Sequence, residues 1–76
     1  MKIEILGSGC PKCKKLEENT RKAAEKMKTK AEIVKVTDIG KIIEHGVMTT
    51  PALVIDGKIK SSGRIPDVEE IEKWLD

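Results

Sequence analysis

The chain contains two cysteines, Cys10 and Cys13, which are separated by Pro11 and Lys12. A short apolar segment and the glycine-rich residues 7–9 precede them, and an amphipathic helical pattern follows them directly. A cysteine at the start of a helix faces unpaired backbone N–H groups and the positive end of the helix dipole, which favour the thiolate. A second thiol at this spacing can displace a partner from a mixed disulfide. The four residues therefore predict dithiol–disulfide exchange.

Binding of a soft metal ion is an alternative for the same two thiols. Copper(I) and mercury(II) prefer sulfur ligands, and two thiolates can hold them. A closed zinc site is not expected, because it needs four ligands and the chain offers only His45 and carboxylates besides the cysteines. A purely structural disulfide is disfavoured, since closing so short a loop restricts the unfolded chain little. The residues leave a redox dithiol and a copper or mercury carrier open.

Length and charge exclude several classes of function. With 76 residues the chain should form a single domain over 1–76, too small for a multidomain enzyme with a deep substrate cleft. Lysine and arginine nearly balance the acidic residues, at a net charge of +2, and the chain has one Trp and neither Phe nor Tyr. Nucleic-acid recognition usually needs stacking side chains or a one-signed face. We therefore expect no nucleic-acid partner.

The N-terminal segment predicts the location of the protein. Met1 leads directly into a polar-apolar segment with Lys2 and Glu4, and no apolar run approaches the roughly 20 residues of a membrane span. We therefore expect a cytoplasmic protein that does not interact with a membrane. In a reducing compartment, a cysteine pair is more often catalytic or metal-binding than structural.

The hydrophobic pattern and the turn signals predict seven elements and an α/β fold. Strands are expected at 2–6, 31–36, 52–55 and 58–61, and helices at 11–28, after Thr37-Asp38 as far as Gly46, and from Pro66-Asp67 to the end. The resulting order is β-α-β-α-β-β-α. The first two strands should be parallel and the closing hairpin antiparallel, because a helix joins the former and an Asp-Gly turn the latter. This predicts a four-stranded mixed sheet flanked by three helices.

These features together are similar to those of a known superfamily. A strand, a loop, Cys-Pro-Lys-Cys at a helix start, and Thr49-Thr50-Pro51 before a hairpin strand resemble the thioredoxin superfamily. Over essentially its whole length the chain resembles the small archaeal and bacterial thioredoxin-like redox-active disulfide proteins, which are glutaredoxin-sized. The resemblance implies a thioredoxin-like fold, disulfide oxidoreductase activity of the electron-carrier type, and no cofactor besides a redox-active Cys10–Cys13 disulfide.

The resemblance also assigns roles to individual residues. Cys10 matches the exposed attacking thiolate, and Cys13 matches the buried resolving thiol. Thr50-Pro51 matches the cis-proline position, which borders the cysteines and presents backbone to an extended substrate. The residues implied in substrate binding are Pro11, Lys12, Thr50, Pro51 and Gly63.

Glu4 lies six residues before Cys10, where thioredoxins carry a buried acid. That acid accepts or relays the proton of the resolving cysteine, so the resemblance implies a proton relay at Glu4. A residue on the surface of the strand is the alternative, because glutamate is rarely buried. Lys12, between the cysteines, would favour the thiolate by its positive charge, or is simply a solvated lysine.

Three positions differ from the family pattern or have another expected role. Gly9 stands where full thioredoxins have an aromatic residue, which should flatten the substrate surface. Trp74 belongs to the last helix and is expected to pack, and His45 is expected to act as a capping charge at a helix end. Gly63-Arg64 together with Thr50-Pro51 also resembles glutaredoxins, although the double glycine with paired acids is missing.

The resemblance implies two kinds of partner. These are proteins that carry disulfides, and a donor similar to thioredoxin reductase or another low-potential reductant. The protein could also serve one enzyme as its dedicated thiol donor. We expect a monomer that needs no metal.

Overall fold

The computed structural model describes residues 1–7, 11–47 and 49–75. Its elements follow one another in the predicted order. They are β1 (Lys2–Leu6), α1 (Pro11–Lys26), β2 (Glu32–Val36), α2 (Ile39–Glu44), β3 (Ala52–Ile55), β4 (Lys58–Ser62) and α3 (Val68–Leu75).

The four strands form one mixed sheet in the order β2-β1-β3-β4. Strand β1 is parallel to β2 and antiparallel to β3, and β3 is antiparallel to β4. The turn between β3 and β4 has Asp56 at φ 49° and Gly57 at φ 83°, the positive angles that a two-residue hairpin requires. The predicted α/β thioredoxin-like architecture is confirmed.

Helices cover both faces of the sheet. On one face, α1 and α3 pack over a cluster that includes Ile3, Ile5, Leu16, Leu53 and Ile71. On the other face, the smaller cluster under α2 consists of Leu6, Ile42, Val47, Ala52 and Val54. Because successive residues of a strand point to opposite faces, β1 contributes odd-numbered residues to the first cluster and Leu6 to the second.

Helix α1 ends at Lys26, two residues earlier than predicted. Lys28 adopts a left-handed φ of 53°, and the N–H of Thr29 donates to the carbonyl of Ala24 at 3.0 Å, which closes the helix. Asn19, a polar residue of α1, is buried, and its side-chain amide donates to the carbonyl of Pro66 at 3.1 Å. This polar bond joins α1 to the segment that leads into α3.

Helix α2 begins where the sequence predicted its cap. Asp38 accepts hydrogen bonds from the backbone N–H groups of Gly40 and Lys41 at 2.8 and 3.4 Å. Of the three isoleucines of α2, only Ile42 is buried, whereas Ile39 and Ile43 are exposed. The helix is therefore held to the sheet by a narrow contact, and the chain leaves it at Gly46 (φ 83°) toward Pro51.

Candidate active site

The start of α1 carries the motif that the sequence singled out. Pro11 is the first helical residue and, like Lys12, is exposed, whereas Cys13 is buried. Cys10, with Ser8 and Gly9, lies outside the described residues, so its attacking role stays a prediction. The first turn contains no acidic side chain, so no carboxylate there opposes a thiolate.

Cys13 lies against the end of β1. A Cβ atom added to Gly7 would overlap the Sγ atom of Cys13, and it would be 3.3 Å from the Cβ of Cys13 and 4.0 Å from the Cα of Pro51. Only a residue without a side chain leaves this space to the sulfur. Sequence reasoning missed the role of Gly7, although a glycine at the end of a strand can signal close backbone approach.

The Thr50–Pro51 loop also approaches Gly7. The Thr50–Pro51 peptide bond is cis, Pro51 is fully buried, and Thr50 is exposed. The carbonyl of Pro51 accepts a hydrogen bond from the N–H of Gly63 at 2.9 Å. Gly63 has a φ of 73°, and a Cβ there would be 2.9 Å from the hydroxyl oxygen of Thr49. The structure thus brings Pro51 and Gly63 together, and Gly7 connects them to Cys13.

A small cavity of about 70 Å³ reaches Cys13 from the side of α1 and β2. Its lining residues are Ile5, Gly7, Cys13, Lys14, Glu17, Lys35 and Thr37. Pro51 is not one of them. Cys13 therefore borders a charged cavity and also contacts Gly7, which the Thr50–Pro51 loop approaches.

An ion pair forms the wall of this cavity. The carboxylate of Glu17 accepts from the ammonium of Lys35 on β2 at 3.0 Å and from the guanidinium of Arg21 on α1 at 2.9 Å. The hydrogen bond from Lys35, with a further contribution from Arg21, lowers the pKa of Glu17 despite the opposing effect of burial. Glu17 is therefore a carboxylate at neutral pH. Nothing in the sequence pattern had singled out Glu17 as part of the site.

Glu4 lies on the opposite face of the sheet. It is paired with Val54 of β3, which packs under α2, whereas its neighbour Ile5 lines the cavity of Cys13. Its carboxylate is 3.1 Å from Nε2 of His45, the residue that caps the end of α2. The structure therefore gives the relay predicted for Glu4 no support, and the side chain of His45 pairs with Glu4 in addition to its place at the helix end.

A Glu4→Gln substitution separates the two roles of this carboxylate. Because Glu4 faces α2, we expect the resolving step to stay within about twofold of the original rate, while the free energy of unfolding falls by up to about 1 kcal/mol. Single-turnover disulfide exchange and urea unfolding measure the two quantities. His45→Gln is the matched control and should lower stability by a similar amount. A resolving rate that falls tenfold in Glu4→Gln alone would support the relay predicted for Glu4.

Trp74 packs as the sequence predicted. Its ring lies against the core cluster of α1 and α3. The guanidinium of Arg64 lies 6.0 Å from the ring centroid and makes two hydrogen bonds to Glu70, at 3.2 and 3.0 Å. These contacts anchor the segment that follows Gly63 to α3.

Neither a clustered metal site nor a membrane span is found in the part of the chain that the structure describes. No group of three or more His, Cys, Asp and Glu residues there could hold a metal ion. None of the helices in residues 1–7, 11–47 and 49–75 has the length and apolar character needed to cross a bilayer.

Comparison with known proteins agrees with this geometry. The family described as "Thioredoxin domain" matches residues 1–76. The chain is 49% identical over 73 residues to a thioredoxin of Methanocaldococcus jannaschii, and the aligned region covers 96% of this chain and 84% of that protein. It is 41% identical over 75 residues to a thioredoxin of Methanothermobacter thermautotrophicus, and this aligned region covers 99% of this chain and 97% of that protein.

Both relatives and the family match lead to the same general activity. Thioredoxins are thiol–disulfide oxidoreductases that act on disulfide-bearing proteins, take electrons from a reductase, and need no cofactor beyond their own redox-active disulfide. The fold, the helix start at the cysteine motif and the similarity over nearly the whole chain agree with this activity. The chain therefore belongs to the thioredoxin family.

Proposed function

We propose that residues 1–76 form a single thioredoxin-like domain that reduces protein disulfides through a Cys10–Cys13 dithiol. The observation that carries the proposal is the position of Cys13, buried at the start of α1 against Gly7 and beside Pro51. A buried thiol one turn below an attacking cysteine can resolve a mixed disulfide without competing for the substrate. The similarity to two archaeal thioredoxins supports the same conclusion.

The exchange proceeds in two substitutions at sulfur. The Cys10 thiolate attacks one sulfur of the substrate disulfide, that S–S bond breaks, and its electron pair leaves on the other substrate sulfur. Cys13 loses its proton to solvent and attacks the sulfur of Cys10, which expels the second substrate thiolate. The substrate is reduced by two electrons, and Cys10 and Cys13 become a disulfide. A reductase of the cell returns the electrons.

Exposed residues around Pro51 are the proposed substrate surface. Pro11 and Lys12 at the start of α1, Thr50, and Gly63 are all exposed, whereas Pro51 is buried. The hydrogen bond between Gly63 and Pro51 fixes the two loops relative to each other. An extended segment of a protein bearing a disulfide could bind along this surface with its sulfur toward Cys10.

The proposed setting is the cytoplasm, where the protein carries electrons from a reductase similar to thioredoxin reductase, or another low-potential donor, to disulfide-bearing proteins. We propose a monomer that needs neither metal nor a nucleic-acid partner. The nearly balanced charge of the chain supports the absence of a polyanionic partner. The architecture counts against a metal carrier, because small metal carriers have the order β-α-β-β-α-β, whereas in this chain α2 follows β2 and α3 follows β4.

Insulin reduction in the presence and absence of metal tests the proposal. Catalytic amounts of the protein should accelerate the reduction of insulin by dithiothreitol, and a chelator should leave the rate unchanged, because the reacting atoms are sulfur alone. Protein isolated without reductant should contain an intramolecular Cys10–Cys13 disulfide by mass. A well-characterised thioredoxin serves as the positive control. Stoichiometric copper retained through purification, together with no acceleration of insulin reduction, would establish the carrier instead.

A further inference from the structure

The cavity beside Cys13 is lined by opposite charges that the exchange mechanism has not used. Glu17 lies four residues after Cys13, so the two side chains share one face of α1 at a Cβ separation of roughly 6 Å. Lys35 reaches the carboxylate of Glu17 from β2 at 3.0 Å. The side chain of Glu17 is only 16% exposed, whereas that of Lys35 is 58% exposed. A partly covered carboxylate in the cavity that Cys13 lines is therefore paired with an exposed positive charge.

We propose that the Glu17–Lys35 ion pair sets how readily Cys13 forms the thiolate that resolves the mixed disulfide, an inference that rests on the proposed function. The carboxylate of Glu17 opposes a second negative charge on Cys13, and the ammonium of Lys35 compensates for it. The two residues are positioning and electrostatic groups, because they act on Cys13 rather than on the substrate. The compensation lowers the electrostatic cost of the negative charge that forms on Cys13 before it attacks Cys10.

The charged groups around Cys13 in the described part of the chain favour this assignment. From α1, the cavity receives Lys14 and Glu17, with Arg21 bound to the far side of the Glu17 carboxylate. From β2 it receives Lys35, and β1 and the residue that follows it contribute only the uncharged Ile5 and Gly7. Glu17 is thus the one carboxylate that lines the described cavity. Removing its compensating charge should therefore have a direct effect on Cys13.

The proposal predicts opposite effects for the two charges. Lys35→Met leaves the Glu17 carboxylate less compensated, so the resolving step should slow about threefold at neutral pH, with its pH profile displaced upward. Glu17→Gln removes the opposing charge, so the same step should accelerate by a similar factor, with the profile displaced downward. The double variant should return to within about twofold of the original protein. A purely structural ion pair would instead make both single variants change in the same direction.

The measurement separates attack by Cys10 from resolution by Cys13. One equivalent of an aromatic disulfide that releases a coloured thiolate should give a first release on attack and a second release on resolution. The rate of the second release is recorded against pH for each variant, and circular dichroism verifies folding. Lys35→Gln replaces Lys35→Met if the methionine variant does not fold. Glu18→Gln and Lys22→Met are matched controls, since that pair lies on the exposed face of α1 and should leave the second release unchanged.

The outcomes distinguish this inference from the proposed function. Absence of a second release in the original protein would contradict the resolving role of Cys13. The Cys10→Ser background would still test the ion pair, because ultraviolet absorbance reports the thiolate of Cys13 as a function of pH. The second release could also be normal in the original protein while its pH profile is unchanged, or displaced in the same direction, in both single variants. That result would overturn the role of Glu17 and Lys35 and leave the proposed function intact.

Discussion

Replacement of either cysteine by serine should lower the rate of insulin reduction by roughly a hundredfold or more, because each cysteine supplies a reacting sulfur. Only Cys13→Ser should accumulate mixed disulfides, since it keeps the attacking thiol of Cys10 and lacks the thiol that releases the substrate. Cys10→Ser should trap little, because Cys13 is buried, with 5% of its surface exposed. Non-reducing gels and intact-mass measurement after mixing with a disulfide-bearing protein report the trapped species.

Alkylation of the original protein provides an independent measure of the same roles. Cys10 should react with a limiting amount of iodoacetamide well before Cys13, because burial hinders access to the Cys13 sulfur. The variant with both cysteines replaced is the control and should neither trap nor turn over. Trapping of mixed disulfides by Cys10→Ser would exchange the roles of the two cysteines. Equal alkylation of the two thiols at neutral pH would contradict the distinction between them.

Substitution of Gly7 by alanine should have the second large effect, on both stability and exchange. The new Cβ would overlap Sγ of Cys13, so the sulfur or the start of α1 must move. We expect a loss of about 1–3 kcal/mol in the free energy of unfolding, as for other overpacked buried sites. The resolving step should slow by about tenfold or more, because displacement of a reacting atom by a fraction of an ångström is sufficient. Urea unfolding and the second release of the aromatic disulfide assay measure the two effects.

Gly57→Ala provides a matched control for the loss of stability. A Cβ at Gly57 meets no atom within 4 Å, but its φ of 83° is unfavourable for alanine. The variant should lose about 1–2 kcal/mol through the strained turn. It should retain the resolving rate, since the hairpin turn lies outside the site. If Gly7→Ala retained a normal resolving rate at the same loss of stability, the close contact of Gly7 with Cys13 would have no role in the chemistry.

Local signals in the sequence predicted the elements well. Asp38 accepts hydrogen bonds at the start of α2, and Asp56-Gly57 turns the hairpin with two positive φ angles. Such signals work from sequence because a capping carboxylate or a left-handed glycine acts within a few residues of itself. The exception is the end of α1, where Lys28 takes the left-handed conformation that glycine more often adopts.

The sequence by itself determined that two thiols stand at a helix start and that β1 presents alternating residues to two faces. It could not determine which face α1 covers, because a strand pattern of period two is the same for either choice. The tertiary structure decided this: Ile5 and Gly7 face Cys13, while Glu4 faces α2 and pairs with His45. The contact of Gly7 with Cys13 and the ion pair from Lys35 to Glu17 join distant parts of the chain, and only packing of the whole chain brings them together.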